Sequence, residues 1–160
     1  MEDEFCKSVD ERKQVNIYTR KDILSNMYSK YDKTNHSVYK LTYHLVLVVK
    51  YRRKVITTPI FKSLINIFNK TGDKYGIEMI ESNFEEDHIH ILFKSTPNVN
   101  MQKFINSYKS ASSRIIKKEY PQIYKVFWNG VFWKRGYFIN TTGGANIETI
   151  KQYIERQQRR

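Results

Sequence analysis

The chain has 160 residues and carries 28 Lys and Arg against 16 Asp and Glu, a net charge of +12 with a pI near 9.7. That length fits about one domain with a real core, and a single cysteine, Cys6, excludes an internal disulfide framework and fits a reducing cytoplasm. No run of 18 apolar residues offers a membrane span, and the acidic start Met1-Glu2-Asp3-Glu4 excludes a signal peptide, so a cytoplasmic location with no membrane partner is expected.

Residues 1–35 hold seven acidic and seven basic side chains, so the whole excess lies in 36–160, with 21 basic and 9 acidic residues. A domain charged in this way is expected to meet a polyanion, nucleic acid first; the plain alternative is a basic surface kept for solubility. The first 35 residues are poor in aliphatics. Ile17, Ile23, Leu24 and Met27 support at most a short helix over about 20–31, and the segment reads as an appended extension. Dense apolar patterning begins at Asn35-His36, which divides the chain into an extension over 1–35 and a domain over 36–160.

Residues 39–49 (YKLTYHLVLVV) read as a long strand, with Tyr39, Leu41, Tyr43, Leu45, Leu47 and Val49 on one face. Lys50, Arg52, Arg53 and Lys54 then cluster around Tyr51, a composition that suits phosphate contact with stacking on a base, or else a solvated loop. Pro59 opens a helix running to about 75, with Phe61, Leu64, Ile65 and Phe68 at helical spacing. A second strand is expected over about 77–84 and a third over 87–94, joined by a short acidic turn.

In the third strand, Asp87-His88-Ile89-His90-Ile91-Leu92-Phe93 alternates, and residues two apart on a strand share a face. His88 and His90 therefore project together while Ile89, Ile91 and Phe93 point into a core. Two imidazoles beside carboxylates make half of a divalent-metal site; they equally suit two satisfied histidines on a half-polar strand, and two ligands do not close a site.

Pro97-Asn98 introduces a helix over about 99–119. Its expected buried stripe is Met101, Phe104, Ile105, Tyr108, Ala111 and Ile115, with Lys103, Lys109, Arg114, Lys117 and Lys118 outward on a nucleic-acid face or a solvated one. Residues 126–140 read as an aromatic strand punctuated by Gly130 and Gly136. There Trp128, Trp133 and Tyr137 are divided between stacking on bases and core packing. The order strand, helix, strand, strand, helix, strand predicts an α+β fold, a ferredoxin-like antiparallel sheet with helices on one face. Gly143-Gly144 reads as a hinge before a last helix over about 146–160, where Ile147, Ile150 and Ile154 form an apolar stripe and Tyr153 and Gln157 are neighbours four apart. Alone, Tyr153 reads as an ordinary amphipathic-helix residue.

Taken together, HSVYKLTYHLVLVVKYRRKV at 36–55, DHIHILF at 87–93, KFINSYKSASSRIIKKEYP at 103–121, FWNGVFWKRGYFINTTGG at 127–144 and ETIKQYIERQ at 148–157 resemble the TnpA-type insertion-sequence transposases, the one-tyrosine HUH nucleases that move single-stranded DNA. The resemblance implies that His88 and His90 bind a divalent metal, Mg²⁺ or Mn²⁺, with Gln157 as third ligand, and that Tyr153 is the nucleophile. It also implies a homodimer with composite active sites, recognition of DNA hairpins at element ends, and cleavage and rejoining of single-stranded DNA through a 5′-phosphotyrosine link. Lys50, Arg52, Arg53, Lys54, Lys103, Lys109 and Arg114 are the expected DNA-holding residues. The extension over 1–35 is longer than the family usually has. Two alternatives stand beside this expectation: a relative that processes repeated chromosomal hairpins, and a non-catalytic nucleic-acid-binding protein on the same fold.

Overall fold

The computed structural model describes residues 32–33, 37–128, 130–142 and 152. The helix expected over 20–31, the Gly143-Gly144 hinge, Tyr153 and Gln157 lie outside the described residues. The chain divides into two compact units, Met1–Lys40 and Leu41–Arg160. In the first, β1 (Asp32–Lys33) pairs antiparallel with β2 (Val38–Tyr39), Asp32 lying opposite Tyr39.

The second unit is built on a sheet of four strands in the order β4-β5-β3-β6, every neighbouring pair antiparallel. The strands are β3 (Leu41–Val48), β4 (Glu78–Glu85), β5 (His88–Ser95) and β6 (Phe138–Thr141). Helix α1 (Thr58–Asp73) connects β3 to β4, and α2 (Met101–Glu119) runs from β5 toward β6, so the ferredoxin-like expectation holds. The strand expected over 39–49 is shorter at both ends: Tyr39 belongs to β2, and Val49 makes only a bridge to Trp133.

Strand alternation gives the sheet two chemically different faces. Leu45 and Leu47 lie opposite Ile91 and Ile89, all four fully buried, and form one core cluster with Leu64 and Phe68 of α1 and Phe104, Ile105 and Tyr108 of α2. Burying these branched and aromatic side chains between sheet and helices supplies most of the driving force for folding. The other face carries His44, Val46 and Val48 of β3 and His88 and His90 of β5.

The strand expected over 126–140 is corrected. Tyr120 ends α2 in an extended conformation (φ −122°, ψ 94°), and Pro121 opens a short third helix, α3 (Pro121–Phe127). Proline suits a first helical turn, and Ile123 and Phe127, four apart, both bury in the core; that spacing prevailed over the β-propensity of the aromatics. Phe132 and Trp133 are buried neighbours in an irregular stretch, and among the described residues there only Phe138–Thr141 forms a strand.

The stripe on α2 is corrected too. Phe104, Ile105 and Tyr108 are buried as expected, but Ser112, Ser113 and Ile116 continue the buried face, and Ala111 and Ile115 are only half-buried. Both serines are spent on hydrogen bonds. Ser112 Oγ donates to Tyr108 O at 2.7 Å and accepts from Trp133 Nε1 at 2.8 Å, and Ser113 Oγ accepts from Phe132 N at 3.0 Å. Buried hydroxyls with partners of this kind look polar in the sequence and behave as core in the fold.

Candidate active site and nucleic-acid interface

The histidine pair follows from pleat and register. His88 lies opposite Val48 on one side and Glu85 on the other; His90 lies opposite Val46 and Asn83. Their ring centroids are 4.9 Å apart. His88 is half-buried and His90 is buried.

Each ring has its δ nitrogen engaged. His88 Nδ1 is 2.5 Å from Asp87 Oδ1, and His90 Nδ1 is 3.0 Å from Nε2 of His44 on β3. His90 Nε2 is buried and has no hydrogen-bond partner among the described residues. A histidine that ligates a metal through one nitrogen characteristically gives the other to a neighbouring acceptor, so the pair fits a divalent ion presented with Nε2 of each ring. Among the described residues no three His, Cys, Asp or Glu side chains form a metal-holding group. The two imidazoles are therefore the described share of such a site.

Electrostatics hold His90 in the neutral form that can ligate. Burial, then the neighbouring His88 and His44, lowers His90 to about 4, and burial lowers His44. Burial pushes Asp87 up, but the hydrogen bond from His88 and the adjacent Arg52 outweigh it, and its carboxyl stands below the usual range. Arg52 reaches it from a strained turn. Tyr51 (φ 60°) and Arg52 (φ 51°) are consecutive left-handed residues, and the turn sets Arg52 Nε 2.9 Å from Asp87 Oδ2. The guanidinium, the carboxylate and His88 thus form one chain of contacts.

The basic residues expected to hold DNA separate into two groups. Besides Arg52 on Asp87, Lys54 stands 3.7 Å from Glu86, and Arg53 lies over the Phe127 ring with 5.8 Å to its centroid. Lys50, Lys109 and Arg114 instead line a cleft of about 990 Å³ between α2 and the 131–135 stretch. Lys103 lines a neighbouring groove that shares Asn106, Ser110 and Arg114 with it. Lys117, Lys118, Lys134 and Arg135 also line the cleft, and among the described residues no Asp or Glu does. Lys134 and Arg135 went unnoticed in the sequence, because WKRG reads as a turn within an aromatic run; two cations beside a core tryptophan were the available signal.

Two of the cleft lysines are structural as well as charged. Lys109 Nζ donates to the carbonyls of Lys134 and Arg135 at 2.9 and 2.7 Å, and Lys117 Nζ donates to Gly130 O at 2.9 Å. Burial lowers Lys109. Together with the serine bonds they fasten the far wall of the cleft to α2. Trp133, 2% exposed, is core; Trp128, 70% exposed, and Tyr137, with Lys109 over its ring, remain at the surface. The cleft and the histidines share one end of the sheet: Val48 faces His88, while Lys134 N donates to Val48 O and Lys50 N to Phe132 O.

Two anchored imidazoles beside a cleft whose described lining is basic and free of Asp and Glu fit a protein that acts on nucleic acid. The family described as "Transposase IS200 like" matches residues 37–157. The chain belongs to this family of transposases. The ISDra2 transposase TnpA of Deinococcus radiodurans is 34% identical over 120 residues, covering 75% of this chain and 86% of that protein. The transposase for insertion sequence element IS200 of Salmonella typhimurium is 28% identical over 122 residues, covering 76% and 80%. A crystal structure from Deinococcus radiodurans described as a transposase superposes with a TM-score of 0.64 at 30% identity, over 79% of this chain and 97% of that one. This transposase family acts on DNA by strand transfer and uses a divalent metal. No helix among the described residues is long and apolar enough to cross a membrane.

Proposed function

We propose that this transposase cleaves and rejoins single-stranded DNA at insertion-sequence ends, with Tyr153 as nucleophile and His88, His90 and Gln157 as ligands of Mg²⁺ or Mn²⁺. The observation that carries this reading is the buried His90 Nε2, unpartnered among the described residues, beside His88, each ring anchored through its δ nitrogen, in a chain of a transposase family. Two imidazoles leave a divalent ion short of ligands, and Gln157 supplies the third in this reading. When bound, the ion polarises the scissile phosphate and draws charge from its oxygens.

The protein's own groups do the rest. The Tyr153 hydroxyl oxygen attacks phosphorus; its proton is released, the bond from phosphorus to the 3′ oxygen breaks, and that oxygen leaves as a 3′-hydroxyl after taking up a proton. The product is a 5′-phosphotyrosine. One phosphodiester has replaced another, so the 3′-hydroxyl of a second strand can attack in turn and rejoin DNA without water or ATP. Lys50, Arg114, Lys118, Lys134 and Arg135 hold the phosphate backbone of the DNA, including its hairpins, by charge. Arg52 has a different task, holding Asp87 on His88. The working form is a homodimer, each site combining the histidine pair with Tyr153.

The test is incubation of the purified protein with labelled single-stranded oligonucleotides carrying end hairpins, with Mn²⁺ or with EDTA, followed by a denaturing protein gel. A metal-dependent covalent adduct is expected, and Tyr153→Phe removes it. Tight binding with no adduct on verified end sequences overturns the catalytic reading.

A further inference from the structure

We propose that His44 is a positioning residue: it accepts a hydrogen bond from His90 Nδ1–H and so fixes Nε2 of His90 as the nitrogen offered to the metal. The inference rests on the metal reading above and adds to it a residue from a different strand. A neutral imidazole carries one N–H and one lone pair, and a metal needs the lone pair. Whichever acceptor holds the N–H decides which nitrogen is left.

The contacts select one arrangement. His44 Nε2 stands 3.0 Å from His90 Nδ1, while His90 Nε2 is buried without a partner among the described residues. A proton on Nε2 would leave a buried N–H unsatisfied and set two lone pairs against each other, unless His44 supplied the proton between them. A proton on Nδ1 satisfies the contact and leaves Nε2 free to ligate. His44 is itself held in place. Its ring lies nearly coplanar with that of His90, centroids 5.2 Å apart and planes 18° apart, and Phe138, the first residue of β6, meets it edge-on at 6.4 Å. The backbone of β3 is paired on both sides there, His44 lying opposite Leu92 of β5 and Asn140 of β6.

The two metal histidines are thus oriented by unlike acceptors. Asp87 serves His88 with a carboxylate whose charge Arg52 offsets, whereas His44 serves His90 with a neutral ring. A neutral acceptor at the more buried position adds no negative charge to a site that must receive a phosphate.

The test uses the full-length protein labelled with ¹⁵N, metal-free at pH 7.5, and long-range ¹H–¹⁵N correlation of the histidine rings. In the wild type His90 is expected in the Nδ1–H form. In His44→Phe, which keeps a planar ring and removes the acceptor, His90 is expected to shift to the Nε2–H form or a mixture. His44→Gln places a carbonyl oxygen near the position of Nε2 and is expected to restore the Nδ1–H form. Mn²⁺ titration followed by electron paramagnetic resonance is expected to show about 10- to 100-fold weaker binding in His44→Phe and recovery in His44→Gln. His44→Leu repeats the acceptor deletion should phenylalanine disturb the sheet, with circular dichroism reporting the fold.

An Nε2–H His90 in the wild type overturns the proposal without any variant. Wild-type protein that binds Mn²⁺ through the histidine pair, with His44→Phe and His44→Leu unchanged in tautomer and affinity, overturns the role of His44 alone. Wild-type protein that binds no Mn²⁺ sinks the metal reading, and the proposal with it.

Discussion

His88 and His90 stand two residues apart on one strand, and their partners are the preceding residue and a ring on the adjacent strand. The basic cleft gathers its cations from the turn after β3, from α2 and from an irregular stretch near residue 135. The first region works by short-range geometry, where a misplaced proton matters more than net charge. The second works by accumulated charge, much of it exposed, which salt screens and which no single residue dominates. Their shared boundary at Val48–Lys50 places the charge of the cleft next to the proposed chemistry without sharing a side chain between the two proposed tasks.

The sharpest way to separate them is to remove a ligand from one and charge from the other. His90→Ala is expected to lower adduct formation by at least about 10³-fold, the loss of several kcal/mol of charge stabilisation, while affinity for single-stranded DNA in EDTA stays within roughly twofold. Adduct yield comes from the denaturing gel and affinity from fluorescence anisotropy; an equal loss in both merges the two regions into one site.

The opposite lesion is the triple variant Arg114→Gln, Lys118→Gln, Lys134→Gln, three exposed cations of the cleft. If each neutralises one phosphate, the slope of log affinity against log salt becomes shallower by about 2, and affinity at low salt falls roughly tenfold or more. Mn²⁺ binding should not change. An unchanged salt slope removes the cleft from the DNA path.

A smaller contrast is expected with pH. His90 is held near 4 in the folded protein, below its ordinary value of 6.5. Between those values the unfolded chain binds more protons than the folded one, so stability is full above about 6.5 and falls as pH drops toward 4, by up to about 3 kcal/mol. His44, also lowered, acts in the same direction. Urea unfolding at pH 7.5 and 4.5 measures this, and His90→Ala should flatten the difference. A wild-type profile as flat as that of the variant contradicts the buried neutral imidazole.

The same contrast explains what could be read in the chain. Alternation at 87–93 has period two, so the shared face of His88 and His90 and the burial of Ile89, Ile91 and Phe93 followed from spacing alone. His44 stood in a strand that was correctly expected, yet its contact with His90 depends on strand order and register, which a local pattern does not encode. Arg52 looked like a free cation because the sequence hides the left-handed turn that delivers it to Asp87. The aromatic run expected as a strand over 126–140 misled for a related reason. Its propensities favour a strand, and only the packing of Ile123 and Phe127 against the core makes its first part a helix.

Ser112 offers the finest probe of how the cleft wall is held. Its hydroxyl is fully buried, accepting from Trp133 Nε1 while donating to Tyr108 O. Ser112→Ala removes little volume but leaves the tryptophan N–H buried without its acceptor, an expected loss of about 1–3 kcal/mol in a chemical-denaturation midpoint. Trp133 is bridged to Val49, and Lys134 and Arg135 follow directly after it, so a loosened indole displaces two cleft cations rather than a histidine. DNA affinity should therefore weaken a few-fold, with the salt slope nearly kept, while the His90 tautomer and Mn²⁺ affinity stay as in the wild type. Loss of Mn²⁺ binding in this variant would mean that the wall and the histidine face are one mechanical unit, and the division between geometry and charge would then have to be abandoned.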